Sequence, residues 1–231
     1  MRSGRRRSIR IALGAAGGVV VLLGLAQLLL PKLAAQRVRS ELARYGVVHS
    51  VSVSAFPAVE LLWGHAQSAN VSAGNIDMSP TEANRLMGRA RGVQRMDIHA
   101  TSMHLGSLEL NDVDLRKRAD GIYIDGLLSE ADLRAMLPGS TGFELLTSKS
   151  GGATMRVKGN LFGVTAALNV QLSAVEGKLV AQPQGSLFAG LVKVTLLSVP
   201  SIDVRSIAVA NMSSTEAADP SYRVSVTAEL R

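Results

Sequence analysis

VTAALNVQLS, residues 164–173, sets Val164, Ala166, Leu168, Val170 and Leu172 on one side and Thr165, Ala167, Asn169, Gln171 and Ser173 on the other. A period of two belongs to an extended chain whose successive side chains point to opposite faces, so this is a strand with one face in an apolar interior. Strands flank it at Thr154–Gly159 and Lys178–Gln182, joined to it at Gly159-Asn160 and Glu176-Gly177. Three strands in such close succession pair as consecutive hairpins and give an antiparallel sheet.

The same period recurs toward the N-terminus. Val51, Val53 and Ala55 alternate with Ser50, Ser52 and Ser54, and Gln94 to Leu105 alternates through Met96, Ile98 and Ala100. A further strand is expected around His65 to Ser72, with a short separate one at Asn75 to Met78. Leu108, Leu110, Val113 and Leu115 lie in extended chain that turns at Asp120-Gly121 and returns through IYIDGLL. Toward the C-terminus, strands are expected near Asp203 to Asn211 and Tyr222 to Leu230, around the polar loop SSTEAADPS and after a Leu-rich connection from Leu187 to Val199.

Three short helices interrupt these strands. FPAVELLWG, residues 56–64, has Pro57 suited to a first helical position and Gly64 to a stop, and carries Leu61, Leu62 and Trp63. Ser79-Pro80-Thr81-Glu82 is a capping box, opening a helix with Leu86 and Met87 on its apolar face and an end near Gly92. Ser129 caps Glu130 to Leu137, whose apolar face is Leu133, Met136 and Leu137. Residues 138–152 form a Gly/Ser/Thr loop with an apolar triplet, Phe143, Leu145 and Leu146, a flap or a small packed loop. Hairpins with segregated helices make an α+β fold. So long a sheet is poorly covered by three small helices: either it curls around them or something else fills the space.

IALGAAGGVVVLLGLAQLLL, residues 11–30, is apolar apart from Gln27, and at about 1.5 Å per residue it is long enough to span a bilayer. Arg2, Arg5, Arg6, Arg7 and Arg10 precede it, so the positive-inside tendency keeps the N-terminus cytoplasmic and the rest outside. A cleaved signal peptide is the competing reading. The expected organisation is a basic tail over 1–10, an anchor or uncleaved signal over 11–30, a juxtamembrane helix over 31–44 and an extracytoplasmic domain over 45–231, on the periplasmic or cell-wall side of the plasma membrane.

The pI of 10.2 and net charge of +7 would suggest a nucleic-acid binder. The charge, however, flanks the apolar run, and from Tyr45 onward 16 basic residues face 17 acidic ones. Nucleic acid is therefore not an expected partner; anionic lipid is. The absence of cysteine removes disulfides and thiolate metal sites, and 3% aromatic content leaves few stacking platforms. No nucleophile elbow, phosphate loop or dinucleotide fingerprint is found, and His49, His65, His99 and His104 lack metal-ligand spacing, so no cofactor and no catalysis are expected. Arg116-Lys117-Arg118, just before a turn, reads as a solvated hairpin tip or a contact for phospholipid headgroups. The apolar helix residues Leu61, Leu62, Trp63, Leu86, Met87, Leu133, Met136 and Leu137 line a channel for acyl chains or belong to the core.

Phe56-Pro57 with its apolar helix closing on Gly64, LSEADLRAMLP, the hairpin RVKGNLFGVTAALNVQLSAVEGKLVAQP and the ending YRVSVTAEL together resemble the LmeA family of phospholipid-binding proteins of the actinobacterial cell envelope. The resemblance covers nearly all of residues 45–231. It implies an elongated α+β domain of tubular lipid-binding type, a curved, mostly antiparallel sheet wrapped around short amphipathic helices and preceded by one transmembrane helix. It also implies that phospholipid acyl chains lie in an apolar groove, for which Phe56 and the helix residues above are candidates, in support of envelope lipid or lipoglycan maintenance alongside lipoglycan-assembly proteins. A non-enzymatic scaffold that docks an envelope protein through its sheet edges is the alternative, and an open apolar groove or a filled core separates the two.

Overall fold

The computed structural model describes residues 27–106, 108–136, 140–149, 151–161, 164–185, 193–212 and 221–231. A helix over residues 27–42 (α1) leads into β1 (Gly46–Ser54), a 3-10 turn (Ala58–Trp63) and β2 (Ala66–Met78). Helix α2 (Pro80–Arg89) and a 3-10 turn (Ala90–Gly92) carry the chain to β3 (Val93–Leu105), β4 (Leu108–Arg118) and β5 (Gly121–Ser129). After α3 (Glu130–Met136) come β6 (Ser140–Lys149), β7 (Gly152–Leu161), β8 (Val164–Val175), β9 (Lys178–Gln184), β10 (Val194–Leu197), β11 (Ile202–Met212) and β12 (Ser221–Leu230).

These strands make two sheets. The larger runs β1-β2-β3-β4-β5-β12-β11 and the smaller β10-β9-β8-β7-β6. Every pairing is antiparallel except β2 with β3. That parallel pair needs a long crossover, and the segment holding α2 supplies it. The expected α+β class and mostly antiparallel pairing hold, and the sheets are open and curled. The single sheet wrapped around helices does not: the large sheet is covered by the second sheet, which leans on β11. A sheet can cover the width of another sheet, whereas helices of ten residues or fewer cannot.

The helix signals are local and form as read. Ser79 Oγ accepts from the Glu82 N–H at 3.3 Å, and Glu82 Oε2 accepts from the Ser79 N–H at 2.8 Å. Two orphan donors at the start of α2 are thereby satisfied. Ser129 and Asp132 repeat the arrangement at α3, with Asp132 N–H to Ser129 Oγ at 3.1 Å and Ser129 N–H to Asp132 Oδ2 at 3.2 Å. Gly64 ends the first 3-10 turn at φ 77°, a left-handed conformation that suits a residue without Cβ. Pro57 sits one position earlier than expected, at the N-cap.

Three strand assignments change. Residues 66–78 form one continuous strand, not two. Residues 140–149, expected as a loop, are β6, paired along its length with β7. The Gly/Ser/Thr composition hides the alternation, but Phe143 and Leu145 pack against the main core, and the pairing partner supplies the order. A short β10 appears inside the Leu-rich connection. In addition, β7 runs through Gly159-Asn160 to Leu161, which pairs with Val164, so the chain does not turn at Gly159-Asn160.

Strand β4 changes phase within itself. Leu108 and Leu110 are buried before the irregularity, Val113, Leu115 and Lys117 after it, and the pairing with β5 shifts between Asn111 and Asp114. Asp112 sits there at φ 49°. This is a β-bulge, and it restores an inward face after an extra residue. Among the described residues no helix is long and apolar enough to cross a membrane; most of the run 11–30 lies outside them. Helix α1 continues through Pro31, across the boundary expected at 30/31.

Candidate functional site, an apolar cavity between the two sheets

Inward side chains of the two sheets do not meet everywhere. Between them lies a cavity of about 280 Å³. The large sheet lines it with Met103 and Leu105 of β3, Leu108 and Leu110 of β4, Ile124 and Leu128 of β5, Val224 and Val226 of β12 and Ile207 of β11. The small sheet answers with Phe143, Met155, Val157, three alternate residues of β8 (Leu168, Val170 and Leu172), three of β9 (Leu179, Ala181 and Pro183), and Val194, Leu196 and Leu197 of β10. Leu133 of α3 joins them. Among the described residues each lining side chain is apolar, so these side chains offer dispersion and the hydrophobic effect.

The alternation that identified β8 as half-buried therefore fixes which of its side chains line the cavity. At Val194 the lining reaches the surface, that side chain being 51% exposed. An engineered apolar cavity of about 150 Å³ stays dry and takes up benzene. On that scale this cavity has room for on the order of a dozen carbons. A charged headgroup would find no partner among these side chains, and burying an ion without a partner costs many kcal/mol.

Polar clasps hold the sheets around this space. The Tyr222 hydroxyl donates to the Phe143 carbonyl at 2.9 Å, linking β12 to β6, and the Val209 N–H donates to Ser148 Oγ at 2.9 Å, linking β11 to β6. Burial of Tyr222, with smaller contributions from the Glu130 and Glu144 carboxylates, pushes its phenol above the usual range, so it remains a donor. Buried Glu130 is paired with Arg134 at 2.6 Å.

The candidate residues separate into distinct places. Leu133 lines the cavity. Met87 packs on a second apolar cluster, formed by Ala69, Ala90, Met96, Leu115, Ile122 and Ala228, and Leu86 is half-buried on the same helix. Phe56, Leu62 and Trp63 lie at the surface, Leu61 half-buried beside them. The Met136 side chain and all of Leu137 lie outside the described residues. Residues missed from sequence are those on the strands' inner faces, for which alternation was the available signal.

The basic triplet also separates. Arg116 is exposed on the outer face of the large sheet, and Arg118 pairs with Asp97 at 2.7 Å. Lys117, one residue between, points inward: it is buried and donates from Nζ to the Val93 carbonyl. Burial lowers its pKa, partly offset by Asp120. Strand alternation explains this, since the phase set by Val113 and Leu115 turns Lys117 to the same side. Among the described residues no three His, Asp or Glu side chains come together as a metal set. His99 Nδ1 and Asp114 Oδ1 lie 3.3 Å apart on the outer face, and His104 Nε2 lies 2.8 Å from the Gly106 carbonyl.

Compared with known protein families, residues 21–215 match the LmeA-like phospholipid-binding proteins. No curated protein and no solved structure matches the chain.

Proposed function

Because this chain belongs to the LmeA-like phospholipid-binding family, we propose that it holds phospholipid acyl chains in the cavity between its two sheets. The observation that carries this reading is the lining itself: among the described residues it holds no polar side chain, in a protein whose family binds phospholipid. Each buried methylene contributes about 0.8 kcal/mol, so part of one chain is enough for measurable affinity. The headgroup stays outside, at the rim marked by exposed Val194, where Lys193 is exposed beside it.

The apolar run Ile11–Leu30 anchors the protein in the plasma membrane with the folded part outside, and the protein acts in envelope lipid or lipoglycan maintenance without catalysing a reaction. Its positive charge around the run supports that orientation. The scaffold alternative has a filled interior as its premise, which the cavity disfavours.

Native mass spectrometry of the full chain released from detergent, after incubation with phospholipid, tests the reading. One phospholipid retained per chain is expected. A chain that stays lipid-free, or retains lipid equally well when the cavity is blocked, refutes it.

A further inference from the structure

An exposed apolar patch remains that the cavity does not use. Phe56, Leu62 and Trp63, on and just before the 3-10 turn Ala58–Trp63, are 74%, 66% and 69% exposed. Three large apolar side chains on one short turn are far from the usual scatter of single exposed residues. The turn is not loose, because Ala58 within it is fully buried and Gly64 closes it with hydrogen bonds to Glu60 and Leu61. A rigid turn thus holds its bulky side chains outward.

The place of this turn identifies what covers it. The Ala58 N–H donates to Gln27 Oε1 at 3.1 Å. Gln27 belongs to the apolar run Ile11–Leu30, three residues or about 4.5 Å of helix before its end. Leu28, Leu29 and Leu33 of α1, the helix that carries Gln27, are themselves exposed, so apolar side chains are open to solvent on both elements that meet at this hydrogen bond. Exposed cations lie on the neighbouring elements: Lys32 is on α1, and Arg95 on β3 pairs with Ser68 of β2, itself the partner of Ser54 two residues before Phe56, while the turn's own acid, Glu60, is half-buried. Exposed aromatic and leucine side chains with Lys and Arg on adjoining elements suit the boundary between headgroups and acyl chains of an anionic leaflet.

We propose that Phe56, Leu62 and Trp63 form a membrane-docking tip that inserts into the leaflet from which α1 emerges, and so fixes the orientation of the domain on the bilayer. This rests on the anchoring part of the function proposed above and not on the cavity. It goes beyond a tether, since a spanning helix by itself leaves its tilt, and that of the domain joined to it, to be set by interfacial anchors. The tip and the cavity occupy different parts of the fold: Tyr45, beyond the far end of α1, packs on the core cluster that surrounds the cavity, whereas Gln27 at its near end meets the tip.

Trp63 is the sole tryptophan, so its emission reports the tip without labelling. The full chain is reconstituted in vesicles of phosphatidylglycerol and phosphatidylcholine, the latter brominated at shallow acyl positions, and its flotation with the vesicles after alkaline wash is measured in parallel. Docking predicts a blue shift of Trp63 emission, loss of that emission to bromine quenching, and shielding from aqueous acrylamide. Leu62→Asp, at an exposed site, should reverse all three while flotation persists.

An anchored chain whose Trp63 is open to acrylamide and untouched by bromine overturns the tip while leaving anchoring intact. A blue shift without bromine quenching means that a protein surface or a second copy covers the turn, and also overturns it. Failure to associate with the vesicles overturns tip and anchor together, while phospholipid retention in the cavity is read separately by mass.

Discussion

Replacing Ala181 by Trp would place an indole inside the cavity. Ala181 is the smallest of the described lining side chains, on β9 with Leu172 and Val194 as its cross-strand neighbours. If a dozen or so carbons occupy the cavity, their burial contributes about 10 kcal/mol gross at about 0.8 kcal/mol per methylene. At least about 4 kcal/mol of that is offset by the freedom lost on binding. An indole displacing half of the chain removes about 5 kcal/mol, more than a thousandfold in affinity. Relaxation of the walls lessens this, so a loss of at least about a hundredfold is expected. Displacement of a fluorescent phospholipid from the full chain measures it, with circular dichroism and thermal unfolding to show that the variant folds. Thr101→Trp, exposed on β3, serves as the control for an added indole. A folded A181W chain that binds phospholipid as tightly as the parent would refute the cavity as the binding site.

Tyr222→Phe should cost about 1–2 kcal/mol by urea unfolding, because the buried Phe143 carbonyl loses its donor and the two sheets lose a clasp. Ser79→Ala removes the side-chain half of the box that opens α2 and should destabilise by about 1 kcal/mol, seen as a lower melting temperature. The backbone N–H of Ser79, and then its hydroxyl, hold the Glu82 carboxyl below its usual pKa of 4.5, so that stabilisation is present at neutral pH and lost as pH falls through the lowered value. Glu82→Gln should flatten the stability profile in this acid range. For Lys117 the lowered pKa acts in the other sense: the unfolded chain binds the proton more tightly, so stability should rise with pH up to about 10.5, and this slope should vanish in Lys117→Met.

Much of the fold was legible in short stretches, and the reason is range. Capping by Ser79 and Ser129, the stop at Gly64 and the alternation of β1, β3 and β8 depend on neighbours within about four residues. The bulge in β4 had a visible trace as well: Leu108, Leu110, Val113 and Leu115 step by two, three and two, and the middle step is the extra residue. By contrast, β6 and β10 become strands through partners, β7 and β9, so their composition alone pointed to connection.

By itself, then, the sequence determined a sheet-rich α+β chain with an aliphatic interior, an apolar N-terminal run and no catalytic signature, because each of these is written in composition and period. Only the tertiary structure decided that there are two sheets, that β8 and β9 face a cavity, that Leu133 lines it while Phe56, Leu62 and Trp63 stand at the surface, and that Lys117 is buried between two surface arginines. Apolar side chains read alike wherever they occur in a sequence. Which of them meet each other, a lipid or water depends on strand pairings between residues far apart in the chain, and those are fixed only when the whole fold closes.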